Sequence, residues 1–227
     1  MSRKTLLSIL FVLGLGFTAC GGGREDPVAA EIGTEEGRLT LGVNGPNEAV
    51  TPSNGLTALQ AISEALFKIY SKSTASLSFY SSLESSVRID GIYSGHALAS
   101  GEVIAEGPKI SYDFSLIYYD YSDAGYLFFG GKQHYTGNIE MVNMQARMQK
   151  VVINDQIRFA GLYAGSAIFE NFPLPIDSTN TLVSLFDMYD AKGEPKFPGW
   201  FGKVTFDSNG RKFSLYPYPS AKKPPEG

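Results

Sequence analysis

The chain has 227 residues, 43% of them hydrophobic and 13% aromatic, and its 19 Lys and Arg against 23 Asp and Glu leave a formal net charge of −4. That length suits one domain with flanking segments. The basic residues are scattered, which argues against a phosphate-binding face and nucleic acid as a partner, and the single cysteine, Cys20, excludes a disulfide within the fold.

Ser2-Arg3-Lys4 makes a short basic start, and Leu6 to Leu15 is apolar apart from Ser8 and Gly14, the pattern of a secretory signal over residues 1–19. The run falls short of the roughly 20 apolar residues that a membrane-spanning helix needs, and it is followed by Gly21-Gly22-Gly23. Phe17-Thr18-Ala19-Cys20 resembles the lipobox of bacterial lipoproteins, in which small residues precede a cysteine that is linked to diacylglycerol and becomes the acylated N-terminus. The resemblance implies cleavage after Ala19, lipidation of Cys20, attachment to membrane lipid and a place in the bacterial cell envelope, at the outer membrane. More than one acyl chain gives stable attachment. Loss of Arg3 and Lys4 with the signal lowers the charge of −4 by two, to −6.

Residues 21 to 54 carry Glu25, Asp26, Glu31, Glu35, Glu36 and Glu48, many Gly and Pro, and little large apolar content. Such a segment cannot offset its ordering entropy by burial, so residues 20–54 are expected to form the acylated cysteine and a flexible acidic tether, with Leu39-Thr40-Leu41 as a candidate short strand. Thr57 to Lys72 then places Leu59, Ile62, Leu66, Ile69 and Tyr70 at helical spacing behind the turn Pro52-Ser53-Asn54-Gly55, which predicts an amphipathic helix.

After the helix the period changes to two. Ile110, Tyr112, Phe114, Leu116 and Tyr118 share one face of a strand and Ser111, Asp113 and Ser115 the other. The alternation returns in Gln133 to Met141, Met144 to Met148 and Val204 to Tyr216, the last folded at Asp207-Ser208-Asn209-Gly210, where Asn-Gly signals a hairpin. Leu182, Leu185, Phe186 and Tyr189 fit i, i+3, i+4, i+7 behind Ser178 and predict a short helix near 178–190. The expected fold class is α+β: a mainly antiparallel β meander, a curved sheet or sandwich-like, with one N-terminal amphipathic helix and that second short one. It occupies residues 55–216, with 217–227, which hold four prolines, as a disordered tail.

Val87 to Leu98 recurs as Ile157 to Ile168, with five identities in twelve positions: Arg88 and Arg158, Gly91 and Gly161, Tyr93 and Tyr163, Gly95 and Gly165, Ala97 and Ala167. Two related strand-turn units follow, with Gly95 and Gly165 expected at matching bends. The Gly-x-Tyr-x-Gly phrasing, with Asp120-Tyr-Ser-Asp-Ala-Gly125, resembles uncharacterised β-rich envelope lipoproteins and implies no particular activity.

Motifs for chemistry are weak. Ser94 and His96 invite a nucleophile reading, but the echo replaces them with Ala164 and Ser166, and strand neighbours do not place a base against a hydroxyl. His96 and His134 lack zinc-like spacing. Asp120 and Asp123 could offer oxygens to Ca²⁺, but flanked by Gly125 they read first as turn formers. No enzyme, metal or cofactor is expected. Phe197-Pro-Gly-Trp-Phe201, with the only tryptophan, either plugs one end of the sheet or is a contact surface; Phe197, Trp200, Phe201, Tyr119 and Tyr121 are the candidate binding residues. The expected function is a non-enzymatic binding or structural role, with a protein or glycan partner at the envelope. The alternatives are a carrier of lipophilic ligands, since a helix-covered curved sheet resembles the open barrels of lipid-carrier proteins, and, with least support, a hydrolytic enzyme.

Overall fold

The computed structural model describes residues 37–42, 44–79, 86–106, 109–142, 145–146, 150–177 and 181–219. The predicted signal and Cys20 lie outside them. The elements are β1 (Glu48–Ala49), α1 (Gly55–Phe79), β2 (Val87–Asp90), β3 (Ser94–Glu106), β4 (Lys109–Ser122), β5 (Leu127–Val142), β6 (Gln145–Ala146), β7 (Lys150–Gly161), β8 (Tyr163–Pro175), β9 (Lys203–Ser208) and β10 (Arg211–Leu215). Eight strands lie side by side in the order β10-β9-β8-β7-β5-β4-β3-β2, while β1 joins β8 in parallel and β6 turns back on β5. Each neighbouring pair along the eight is antiparallel. The β-rich α+β class read from the sequence is therefore the observed one, as a single sheet rather than a sandwich.

Helix α1 supplies the second layer. It begins where Asn54 O accepts from Ala58 N at 2.9 Å, and it buries Ala58, Leu59, Ile62, Leu66, Ile69 and Tyr70 along one stripe. It touches β2 and β3 near one end of the strand order and β8 toward the other. Five strand spacings of about 4.8 Å separate β2 from β8, roughly 24 Å in a flat sheet. A helix about 10 Å across can reach both only if the sheet curls around it. Tyr112, Phe114, Leu116 and Tyr118 point inward as the alternation predicts, and Tyr70 lies within 5.9–6.3 Å of the Tyr112, Phe114 and Tyr135 rings. Phe114 and Tyr135, paired across β4 and β5, stack at 5.1 Å. Beside them Tyr118 and Tyr135 both donate to Gln133 Oε1, at 3.0 and 2.9 Å, within a fully buried polar knot.

Three boundaries differ from the sequence reading. No helix forms in the described part of 178–190: residues 181–190 are loop, held by bridges Ile176 to Leu182 and Tyr189 to Pro195. Leu185 and Met188 are buried but Phe186 is 60% exposed, so the apolar residues do not share a helical face. Residues 37–54 do not act as a free tether, because this arm is bonded along the sheet, and Leu39-Thr40-Leu41 is held by a side chain rather than by strand pairing. At the other end Tyr218 is buried, donating its hydroxyl to Pro173 O, so the ordered domain runs past 216; the rest of the expected tail lies outside the described residues. The Asn209-Gly210 hairpin is as read, with φ of +52° and +72° joining β9 to β10.

Candidate functional site

The arm reaches the sheet at Gly37, whose carbonyl accepts from the Arg158 guanidinium. It is clasped by Asp120, which sits at φ +50° where the β4–β5 register shifts. The Asp120 carboxylate accepts from Thr40 N, from Leu41 N at 2.8 Å, from Thr40 Oγ1 at 2.9 Å and from Arg38 Nε at 3.2 Å. Burial alone would raise its pKa, but these donors outweigh burial and hold it below the ordinary aspartate value. Asp123 does the same for the neighbouring turn, accepting from Lys72 Nζ at 2.6 Å, Ile92 N at 2.9 Å and Tyr121 OH at 3.1 Å. Both carboxylates read as Ca²⁺ candidates are thus committed to protein donors.

Beyond Asp120 the arm runs to the end of the sheet where the β2–β3, β4–β5 and β7–β8 turns gather. Asn47 N donates to Gly161 O at 2.7 Å and Glu48 N to Leu162 O at 3.0 Å. Between arm and turns lies an open groove of about 540 Å³, lined by Leu41, Pro46, Tyr126, Phe128 and Leu162 with Thr40, Asn44 and several glycines. None of these lining residues is charged. Tyr93 borders the groove, its ring edge-on to Phe128 at 5.9 Å. It lies over Gly125, where a Cβ would sit 2.7 Å from the ring, so only glycine permits that approach. Ile92 is 78% and Tyr93 67% exposed, with Leu41 and Tyr126 at 43% and 41%.

The echoed hairpins explain what is unusual about this end. Both are strand-turn-strand units, but their registers differ by two residues: Arg88 faces Leu98, whereas Arg158 faces Ser166. A shift of two keeps each side chain on its face, so Arg88 and Arg158 both point outward and Ile89 and Phe159 inward. The glycines do not match in detail, since Gly95 has φ +62° and Gly165 φ +150°. Nor do the tips. Tyr163 is 6% exposed, paired with Glu48 of β1, while its counterpart Tyr93 is 67% exposed.

The residues singled out from sequence fall in two separate places. Phe197 is buried and Trp200 half-buried against it, with ring centroids 4.5 Å apart and Tyr218 at 5.9 Å from Trp200. They close the end of the sheet opposite the groove, where Gly202 abuts Phe172 and Pro173, while Phe201, 71% exposed, faces water. Tyr121 is fully buried, burial and then the Asp123 carboxylate pushing its pKa up, so Tyr121 and Phe197 cannot belong to a binding surface. Tyr119 stacks on His96 at 5.0 Å on the outer face. Ser94 Oγ donates to Asp120 O at 2.9 Å, and His134 meets Asp113 at 2.8 Å on an open strand surface. Among the described residues no group of three or more His, Cys, Asp or Glu is placed to hold a metal ion. Leu41 in the groove and Ile92 and Tyr93 at its border were not singled out as contact residues by the sequence reading, although the Gly-x-Tyr-x-Gly echo marked the turn that carries two of them. Compared with protein-family models, curated proteins and solved structures, the chain matches none.

Proposed function

We propose that this chain is a lipid-anchored protein of the bacterial cell envelope, held at the outer membrane through acylated Cys20, whose folded domain works by non-enzymatic contact. The observation that carries the anchor is the Phe17-Thr18-Ala19-Cys20 sequence directly after an apolar run. What favours contact over catalysis is the fate of the polar groups: Ser94, Asp120 and Asp123 each spend their bonding capacity on the protein's own backbone and side chains. The exposed feature with shape is instead an uncharged groove rimmed by aromatic rings.

Carriage of a lipophilic ligand is the rival reading, and it would need the inner face of the sheet. That face is filled by Leu59, Ile62, Leu66, Ile69 and Tyr70 of α1, all 2% exposed or less, so carriage would require α1 to leave. Two measurements test the proposal. Cys20→Ser should abolish acylation and release the protein from membrane fractions or stall its processing; a variant cleaved after Ala19 that still floats with membranes overturns the anchor. Native mass spectrometry of the protein purified from its host separates contact from carriage, because a stoichiometric lipid held inside the fold would establish the carrier.

A further inference from the structure

We propose that the bare Ile92-Tyr93 hairpin tip and the groove beside it are a lipid-contact surface, seated on the membrane to which the chain is anchored; the proposal rests on the Cys20 reading. Three observations converge on it. The first is the unequal treatment of two like tips. Tyr163 is buried where β1 of the chain's own arm pairs beside it and Leu162 lines the groove, whereas Ile92-Tyr93, the same kind of apolar pair, is 78% and 67% exposed, with the Tyr93 ring edge-on to Phe128 beside the groove that Leu41 and Tyr126 rim. Contiguous exposed apolar surface of this kind marks an interaction site.

The second is chemistry. The lining of the groove has no charge, and its exposed aromatics are tyrosines, whose apolar ring and polar hydroxyl suit the headgroup boundary of a bilayer. The third is where the chain leads. The arm enters at Gly37, beside Arg158 and Gly131. Arg158 lies three strand residues from the turn at Gly161, about 10 Å. Sixteen residues lie between Cys20 and Gly37, a reach of at most about 60 Å. The groove end is thus the part of the domain close to the point from which the chain runs back to its anchor, and the linker is long enough to let it reach the bilayer.

The test uses the acylated full protein. Cys20 is the only cysteine and its sulfur is blocked by the lipid, so Ile92→Cys and, separately, Phe201→Cys introduce single reactive thiols at the two ends of the sheet. Each is labelled with an environment-sensitive fluorophore, and the protein is reconstituted into phosphatidylethanolamine and phosphatidylglycerol vesicles containing a nitroxide-bearing lipid. Intact mass first establishes the acyl chains. The expected result is that the label at 92 loses most of its emission to the lipid quencher while the label at 201 keeps it. Acylated protein whose two labels are quenched equally, or not at all, overturns the lipid surface and leaves the anchor standing. A label at 92 shielded from both water and lipid quenchers shows a protein partner there and likewise overturns it. A mass without acyl chains overturns the anchor and this proposal together. Tyr126→Ser in the Ile92→Cys background should reduce the quenching at 92, a change that a domain merely held near the bilayer would not show.

Discussion

Asp120→Asn tests the clasp that places the arm, and through it the groove. Asparagine keeps the side chain's shape and tolerates φ near +50°; its remaining oxygen can still accept from Thr40 N and Leu41 N but without the charge, while the oxygen that accepts from Thr40 Oγ1 and Arg38 becomes an NH₂ donor. A hydrogen bond to a charged group contributes about 1.5–3 kcal/mol against about 0.5–1.5 for a neutral pair. The two backbone donors each lose the difference, so the arm is loosened by about 2 kcal/mol; Arg38, 63% exposed, adds little. Two kcal/mol corresponds to an approximately 30-fold rise in the open population, read as faster amide exchange at Thr40 and Leu41 while the core amides of β4 and β5 hold. The pH dependence has a definite sign. Because the folded pKa of Asp120 lies below the unfolded one, its contribution is complete above the unfolded value near pH 4 and is lost as pH falls through the lower folded value. Asp120→Asn should remove that acid limb. Wild-type exchange at Thr40 and Leu41, with an unchanged acid limb, would refute the clasp.

Two further predictions concern the core and the far end. Trp200 packs on Phe197 and Tyr218 but is only half-buried, so Trp200→Ala should cost roughly 2 kcal/mol, less than the 3–5 of a fully buried ring, and wild-type tryptophan emission should be partly shielded from acrylamide; an unshielded ring and an unchanged urea midpoint would remove Trp200 from the plug. Burial foremost raises the pKa values of Tyr70, Tyr118, Tyr121 and Tyr135 above the ordinary tyrosine value, so the stability their neutral forms supply is complete below about pH 10 and lost as pH rises through the folded values. Phenolate absorbance should therefore appear in two phases, the later one coinciding with loss of near-ultraviolet dichroism; a single phase with the fold intact would count against it.

What the sequence made legible follows from how each element is held. Strand β4 could be read because every second residue from Tyr112 to Tyr118 enters a core covered by one helix, and α1 because its stripe is wide and uninterrupted. The β9–β10 turn was legible because Asn209 and Gly210 supply the positive φ the hairpin needs. The arm was not. Its docking runs through backbone amides, one aspartate 80 residues away and the backbone of Gly161 and Leu162, and such bonds leave no hydrophobic period. Residues 182–189 failed for the opposite reason: an apolar spacing that fits a helix also fits a loop whose Leu185 and Met188 drop separately into the core, and Phe186 pointing to water decides for the loop.

The same reasoning explains why two of the five candidate surface residues, Tyr121 and Phe197, are buried. Aromatic residues crowd β4 and the loop at 197–201, and aromatic density alone cannot separate core from contact, because a ring contributes most when buried in either setting. Position within the pleat separates them. Tyr121 follows the β4 register shift and turns inward to Asp123 and Lys72, whereas Tyr93 sits on the β2–β3 turn, its backbone bonded to Ser122 O but its side chain 67% exposed. In the second echo, the arm and β1 bond the backbone of the equivalent turn and Tyr163 is buried. The chain has one arm and two like tips. Tyr163 is buried and Ile92-Tyr93 is exposed, and that asymmetry, more than aromatic content, is what the proposed lipid-contact surface rests on.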